Sequence, residues 1–353
     1  MGRVTSAMPE ALLALLALAS MVVLSFVFSL PISLPDVNSL LFTGMSVWAP
    51  VTAFGVWWGA SALAGKARQI PLYVAQLGAY LLILVAHFNT KLWMTAINPH
   101  LHDRFYMDVD QAFRPVIDVS FAIHRLVGQF GWENKLYLFA FLAMYVCSII
   151  VHSFRDFLTF RKMVFASMLI HVLGGIGYLI APAIGPFLYE QGLNAIASEQ
   201  QQHMINVYHG VMQGGAGWIS KYGPTVIMAP PAAMPSLHVA SSAIFVWYAW
   251  KHERWLCWGY IPLFAFIIAE AMATRWHYLI DIAFGLGLTA ICLTLCELVF
   301  RPRRKAQPVL RIVPTTSLSL PVDVPVVAPV PAVATGRIAR FGWAIPSLMR
   351  RAG

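Results

Sequence analysis

Charge is scarce in this chain. Asp, Glu, Lys and Arg make up 11% of its 353 residues while 59% are hydrophobic, against roughly 25% charged in an ordinary soluble domain. A soluble globular protein is thereby excluded. Cysteine is scarce too: the four present, Cys147, Cys257, Cys292 and Cys296, fall in or beside apolar runs and show no metal-ligand spacing. They read as small apolar packers, so neither a disulfide framework nor a cysteine-bound metal is expected. Negative charge is the scarcer sign, 15 acidic against 24 basic residues, for a net charge of +9. The basic residues flank apolar runs instead of forming a stripe with interleaved aromatics, and nucleic acid is not an expected partner.

What the chain has in quantity is long apolar runs. Stretches able to cross a hydrocarbon layer of about 30 Å occur at about Leu12 to Leu30, Val47 to Ala64, Ile70 to Phe88, Leu136 to Val151, Val164 to Ala181, Leu237 to Trp250, Leu256 to Thr274 and Tyr278 to Phe300. These predict an all-α, polytopic membrane helix bundle of about eight spans. The first run follows Arg3 but is too long for a signal peptide and leads into Pro31-Ile32-Ser33-Leu34-Pro35 rather than a small-residue cleavage site, so it counts as a span.

Lys and Arg set the expected orientation. Lys66 and Arg68 follow the second run, Arg155, Arg161 and Lys162 the fourth, Lys251 and Arg254 the sixth, and Arg301, Arg303, Arg304 and Lys305 the eighth. Every even-numbered span therefore ends on a basic cluster, which the positive-inside rule assigns to the cytoplasm. Both termini are then expected inside a cell (inner) membrane, with the loops 89–135 and 182–235 outside. The middle of the first outer loop, Phe113 to Trp132, alternates apolar and polar groups at helical spacing and is expected to lie along the interface. Beyond Arg301 the chain turns Pro- and Val-rich, reading as a disordered cytoplasmic tail (301–353) that closes on a basic, aromatic segment from Gly336.

Two short segments carry candidate chemistry, both on the expected outer side. Met234-Pro235-Ser236-Leu237-His238 places Pro and Ser at a helix start, where free N–H groups and the helix dipole favour an anion. Arg275-Trp276-His277-Tyr278-Leu279-Ile280-Asp281 places a carboxylate four residues after a histidine, one helical turn away on the same face, so Asp281 can orient the His277 ring. A carboxylate inside an apolar span is costly and marks function by default.

Pro-Ser-Leu-His followed by His-Tyr-x-x-Asp resembles the second and third signature motifs of the type 2 phosphatidic acid phosphatase superfamily, and within it the inositol phosphorylceramide synthase-like (inositolphosphotransferase) branch. The resemblance implies a six-span core, mapped here to 70–300, preceded by two extra spans in 1–69. It also implies phosphoryl transfer without metal or cofactor on a lipid phosphate or phospholipid. In that scheme His277 is the nucleophile that forms a phosphohistidine, Asp281 its orienter, and His238 the acid and base. Ser236 holds phosphoryl oxygens. The superfamily's first motif, Lys-x6-Arg-Pro, falls on 177–186, which contains no Lys or Arg. Arg114-Pro115 imitates it one outer loop too early. Phosphate charge then has to be met elsewhere, by Arg275 first, with Lys91, Arg104, Arg114 and Lys221 behind it. The expected Ser-Arg before the third motif falls on Glu270-Ala271, and Glu270 is expected to pair with an arginine. Hydrolysis to free phosphate, or a non-catalytic lipid carrier on the same scaffold, are the alternatives.

Overall fold

The computed structural model describes residues 8–36, 45–66, 69–129 and 133–301. All belong to one compact unit, Met1–Arg303; the Pro-rich segment and basic tail expected beyond it lie outside the described residues. Among the described residues the chain is helical with no strand. The helices are α1 (Pro9–Phe28), α2 (Met45–Leu63), α3 (Ile70–Ile97), α4 (Asp103–Ala112), α5 (Arg114–Gly128) and α6 (Glu133–Arg155). They continue as α7 (Phe157–Ile180), α8 (Ala195–Val226), α9 (Leu237–His252), α10 (Cys257–Ala273) and α11 (Leu279–Val299).

Each of the eight expected apolar runs forms a helix. Six are long and apolar enough to cross a membrane: α1, α3, α6 from Leu136, α7, α10 with the short turn before it from Arg254, and α11. α9 is the short member, 16 residues or about 24 Å at 1.5 Å per residue. Pro235 and Ser236 delimit its start, and it packs among α7, α10 and α11. α7 is the centre of the bundle, against α3, α9 and α11, with Phe160, Met163, Ala166, Met168 and Ile170 all buried. Asp156 starts it sharply, its carboxylate accepting from the Thr159 N–H at 2.8 Å; an Asp cap of this kind contributes about 1 kcal/mol.

The basic clusters converge on one end of the bundle. Lys66 at the end of α2 reaches the Phe154 carbonyl at the end of α6 (2.5 Å), and Arg155 meets Glu253 after α9 (3.2 Å). Lys162 and Lys251 share Glu297 near the end of α11 (2.6 and 3.3 Å). Arg161, counted in the sequence as a loop cation, is instead buried and grips Glu10 of α1 through two bonds of 2.8 and 2.9 Å. At the other end, Asn89 of α3 exchanges bonds with the Ser33 backbone (2.8 and 2.9 Å), and Asn98 donates to the Leu179 carbonyl (2.9 Å). Both histidine motifs lie at this second end. Alternation of the chain between the two ends thus agrees with the spacing of basic clusters along the sequence.

Two segments expected as loops are largely helical. In 89–135, α3 runs on to Ile97 and is followed by α4 and α5. The 182–235 segment contains the 32-residue α8. Asn194 caps α8 through Ala197 N–H (3.0 Å), and the polar Ser198-to-Gln202 stretch, within the range expected as a loop, continues the helix because Glu and Gln are good helix formers. Gly215 kinks α8 at φ 51°, a left-handed value that glycine accepts at little cost. The buried face of α8, with Val207, Val211 and Ile219, packs with Met21 and Leu30 at the end of α1 and Leu92 and Trp93 of α3.

Candidate active site

The His277 segment is a tight connection between α10 and α11. Its backbone is pinned by Arg275 N–H to Met272 O (3.0 Å) and His277 N–H to Ala271 O (3.1 Å). Arg275 takes a left-handed conformation, φ 58°, which costs a non-glycine residue about 1–2 kcal/mol and persists only where surrounding contacts hold it. Asp281, fully buried in the first turn of α11, accepts the Tyr278 N–H at 2.8 Å. The third motif therefore caps its own helix.

His277 is 8% exposed. Its Nδ1 lies 2.8 Å from the Ala233 carbonyl and 3.5 Å from an Asp281 oxygen. A carbonyl can only accept, so Nδ1 carries the proton and Nε2 the lone pair. The hydrogen bond that sets the ring thus comes from a backbone carbonyl that no sequence pattern singled out. Asp281 contributes charge at slightly longer range, its nearer oxygen already taken by Tyr278. Asp281 Oδ1 is buried with no hydrogen-bond partner among the described residues. Burial holds the His277 imidazole well below its usual range, at about 4, against the opposing pull of Ala233 O.

The other motif lies directly on this one. Ser236 N–H donates to the Asp281 carbonyl (3.1 Å), and its hydroxyl is buried without a partner among the described residues. Pro235 rests on Gly177 and Leu237 on Gly174, where a Cβ would come within 2.8 and 2.5 Å of them. Gly285, one turn beyond Asp281, forms a tight backbone seam between the two motifs: a Cβ there would sit 2.7 Å from the Ser236 carbonyl oxygen. Gly285→Ala is expected to push Ser236 and His238 away from His277 and lower kcat by about 10²-fold, the usual cost of an ångström of misplacement. Unchanged steady-state kinetics in the purified variant would show the seam to be slack.

His238 is exposed. Its ring stands edge-on to Phe141 at 4.8 Å and beside Tyr137 at 5.5 Å, and His277, Lys91 and His171 lie within electrostatic reach. The structure therefore brings His238, His277, Asp281 and Ser236 to one place.

Arg275 is held differently from a free phosphate ligand. Fully buried, it meets Asp110 at 2.9 Å, Glu190 at 3.3 Å and Met107 Sδ at 3.5 Å, so two carboxylates already answer its charge. Glu190 also bonds Arg114 at 2.8 Å, which brings Arg114-Pro115 to the edge of the same cluster. α4 supplies the rest of this outer layer. Asp103 accepts from the Ile184 and Gly185 N–H groups (3.0 and 2.8 Å) and from the Tyr278 hydroxyl (2.8 Å), and Asp110 from the Leu279 N–H (2.8 Å). Burial raises the pKa of both carboxyls, opposed by these donors. Their sequence signal is the i, i+3, i+4, i+7 face Asp103, Tyr106, Met107, Asp110, buried as a unit. Glu270 pairs with His124 of α5 (2.8 Å) and not with the arginine expected, because α5 lies along α10 and presents His124 at that depth.

Residues 130–295 match the PAP2 superfamily. The matched segment is just under half of the chain and includes Ser236, His238, His277 and Asp281. It supports a multi-pass membrane enzyme of the phosphatase or phosphotransferase type. No curated protein and no solved structure matches the chain. The PAP2 segment starts well after residue 70, so α3, α4 and all of α5, with Lys91, Asp103 and Asp110, lie outside it.

Proposed function

We propose that the protein is a lipid phosphotransferase working through a phosphohistidine at the outer membrane face, within the inositolphosphotransferase-like branch. The observation that carries this reading is the 2.8 Å contact from His277 Nδ1 to the Ala233 carbonyl, which leaves Nε2 as an unprotonated nucleophile. Nε2 attacks phosphorus, the bond to the leaving headgroup oxygen breaks, and His238 gives that oxygen its proton. In the second step His238 takes the proton of an acceptor alcohol, whose oxygen attacks phosphorus as the N–P bond breaks. The Ser236 hydroxyl, without a protein partner, is free to donate to a phosphoryl oxygen. Asp281 steadies the positive charge that develops on His277. Arg275, clasped by Asp110 and Glu190, positions the His277 segment against α4. The lack of Lys and Arg in 177–186 supports transfer over hydrolysis, and the gathering of basic clusters at the opposite end of the bundle supports an extracytoplasmic site with both termini in the cytoplasm.

The test offers the purified chain labelled phospholipids and lipid phosphates, with and without lipid alcohols. A new acceptor-dependent phospholipid is the expected product. Free phosphate independent of acceptor would replace transfer by hydrolysis, and no turnover by folded protein would favour a non-catalytic carrier.

The depressed His277 pKa gives a further expectation. An ordinary histidine is half protonated at about 6.5, but this one only at about 4. With a phosphodiester donor, whose charge is constant over this range, the acid limb of kcat/KM that reports His277 protonation should lie near pH 4. A pH–rate profile with an acid limb near 6.5 would contradict a buried, neutral nucleophile.

A further inference from the structure

Lys91 stands apart from the arginines around the site. Arg275, Arg114 and Arg104 each meet a carboxylate, whereas Lys91, partly buried in the last third of α3, has no hydrogen bond or ion pair among the described residues. Its place is well defined by its neighbours. His87, one turn earlier, lies 3.0 Å from the His171 carbonyl and rings against His171 and Tyr178 at 5.0 and 5.6 Å. Thr90 sits over Gly175, where a Cβ would be 3.6 Å from the threonine methyl. The α3–α7 seam thus carries Lys91 to the level where Gly177 meets Pro235, and its ammonium comes within electrostatic reach of His87, His238 and His277.

A partly buried ammonium within electrostatic reach of three imidazoles, with no carboxylate partner among the described residues, is a charge that those residues do not neutralise. An anion that arrives with the substrate does. We infer that Lys91 is the cation that binds the phosphoryl oxygens at this site, taking the place left open by the absence of Lys and Arg in 177–186. It reaches the site from α3, outside the PAP2 segment. This inference rests on the phosphoryl-transfer reading and adds the group that recognises the phosphate dianion or diester. As a compact point charge it needs no fixed angle to the oxygens, so arginine at this position keeps binding while a neutral residue of similar length does not.

The experiment uses the full-length purified protein and inorganic orthovanadate as a phosphate-shaped probe, with binding followed by titration calorimetry and donor turnover measured in parallel. Lys91→Gln is expected to weaken vanadate binding and raise the donor KM by about tenfold or more, the usual worth of a charge-assisted hydrogen bond. Lys91→Arg should retain both, and Arg104→Gln, at an exposed surface pair, should change neither. Vanadate affinity unchanged in a folded Lys91→Gln variant overturns the assignment. If the wild type binds vanadate through Lys91 but turns over no donor, the anion site stands and phosphoryl transfer falls. If it turns over donor and Lys91→Gln matches it in KM and affinity, the assignment to Lys91 alone falls. A wild type that neither binds vanadate nor turns over donor sinks both.

Discussion

His277→Ala abolishes turnover, lowering it by about 10⁴-fold or more, and leaves the protein folded. In the proposed mechanism the imidazole supplies the atom that bonds to phosphorus, and among the described residues no second nucleophile is positioned to replace it: Ser236 is buried with its hydroxyl aimed at no base, and His238 is set against Phe141 and Tyr137. The structural loss is small by comparison. His277 gives up one hydrogen bond, to the Ala233 carbonyl, worth about 1 kcal/mol, while the connection between α10 and α11 keeps its backbone bonds. The check is rapid-quench labelling with a phosphate-labelled donor: acid-labile label on the wild-type chain, none on His277→Ala. His238→Ala should slow transfer by about 10²–10⁴-fold yet still accumulate labelled protein when the leaving group is good, because it affects proton transfer and not bond formation to phosphorus. Equal labelling of His277→Ala and wild type would remove His277 from the mechanism.

Arg161→Met is expected to have the largest effect on stability, a loss of about 3–5 kcal/mol. Arg161 and Glu10 are 4% and 0% exposed, and their paired bonds of 2.8 and 2.9 Å fasten α1 to the start of α7. Removing the guanidinium leaves a carboxylate inside the bundle without its main cation, and the penalty is the desolvation of that charge more than the value of the pair itself. The double variant Glu10→Gln with Arg161→Met should therefore recover most of the loss, since two neutral groups need no solvation of charge. Unfolding by denaturant in detergent micelles measures both. A single variant within about 1 kcal/mol of wild type would mean that water reaches Glu10. The same pair explains why the first helix docks with its beginning beside the basic end of the bundle.

Eight helices were legible because each apolar run exceeds what a loop tolerates and each is bounded by polar or basic residues. That His277, Asp281, Ser236 and His238 lie at helix starts was legible from the Pro, Ser and Asp beside them. Other features had no local signature. The Ala233 carbonyl is a backbone group present in every residue, and only the approach of the 233–238 turn to His277 makes it an orienter. Arg275 read as a free cation because its carboxylates, Asp110 and Glu190, are far away in the chain. Arg161 read as a loop charge for the same reason. Glu270 was matched to an arginine by charge alone, whereas the packing of α5 on α10 offers His124. The 182–235 segment looked like a loop because its glycines and prolines outweighed a helical stretch between them.

The sequence by itself determined the class of protein, the apolar runs that become its helices and the shared end of both histidine motifs. These follow from composition, run length and periodicity, which are properties of neighbouring residues. Tertiary structure decided which nitrogen of His277 is free and which cations are already paired. Those depend on contacts between residues dozens to well over a hundred positions apart, where burial and charge are settled by what packs alongside. The scarcity of charge makes the point directly: Arg104, Arg114 and Arg275 are each committed to a carboxylate, whereas Lys91 has no such partner among the described residues.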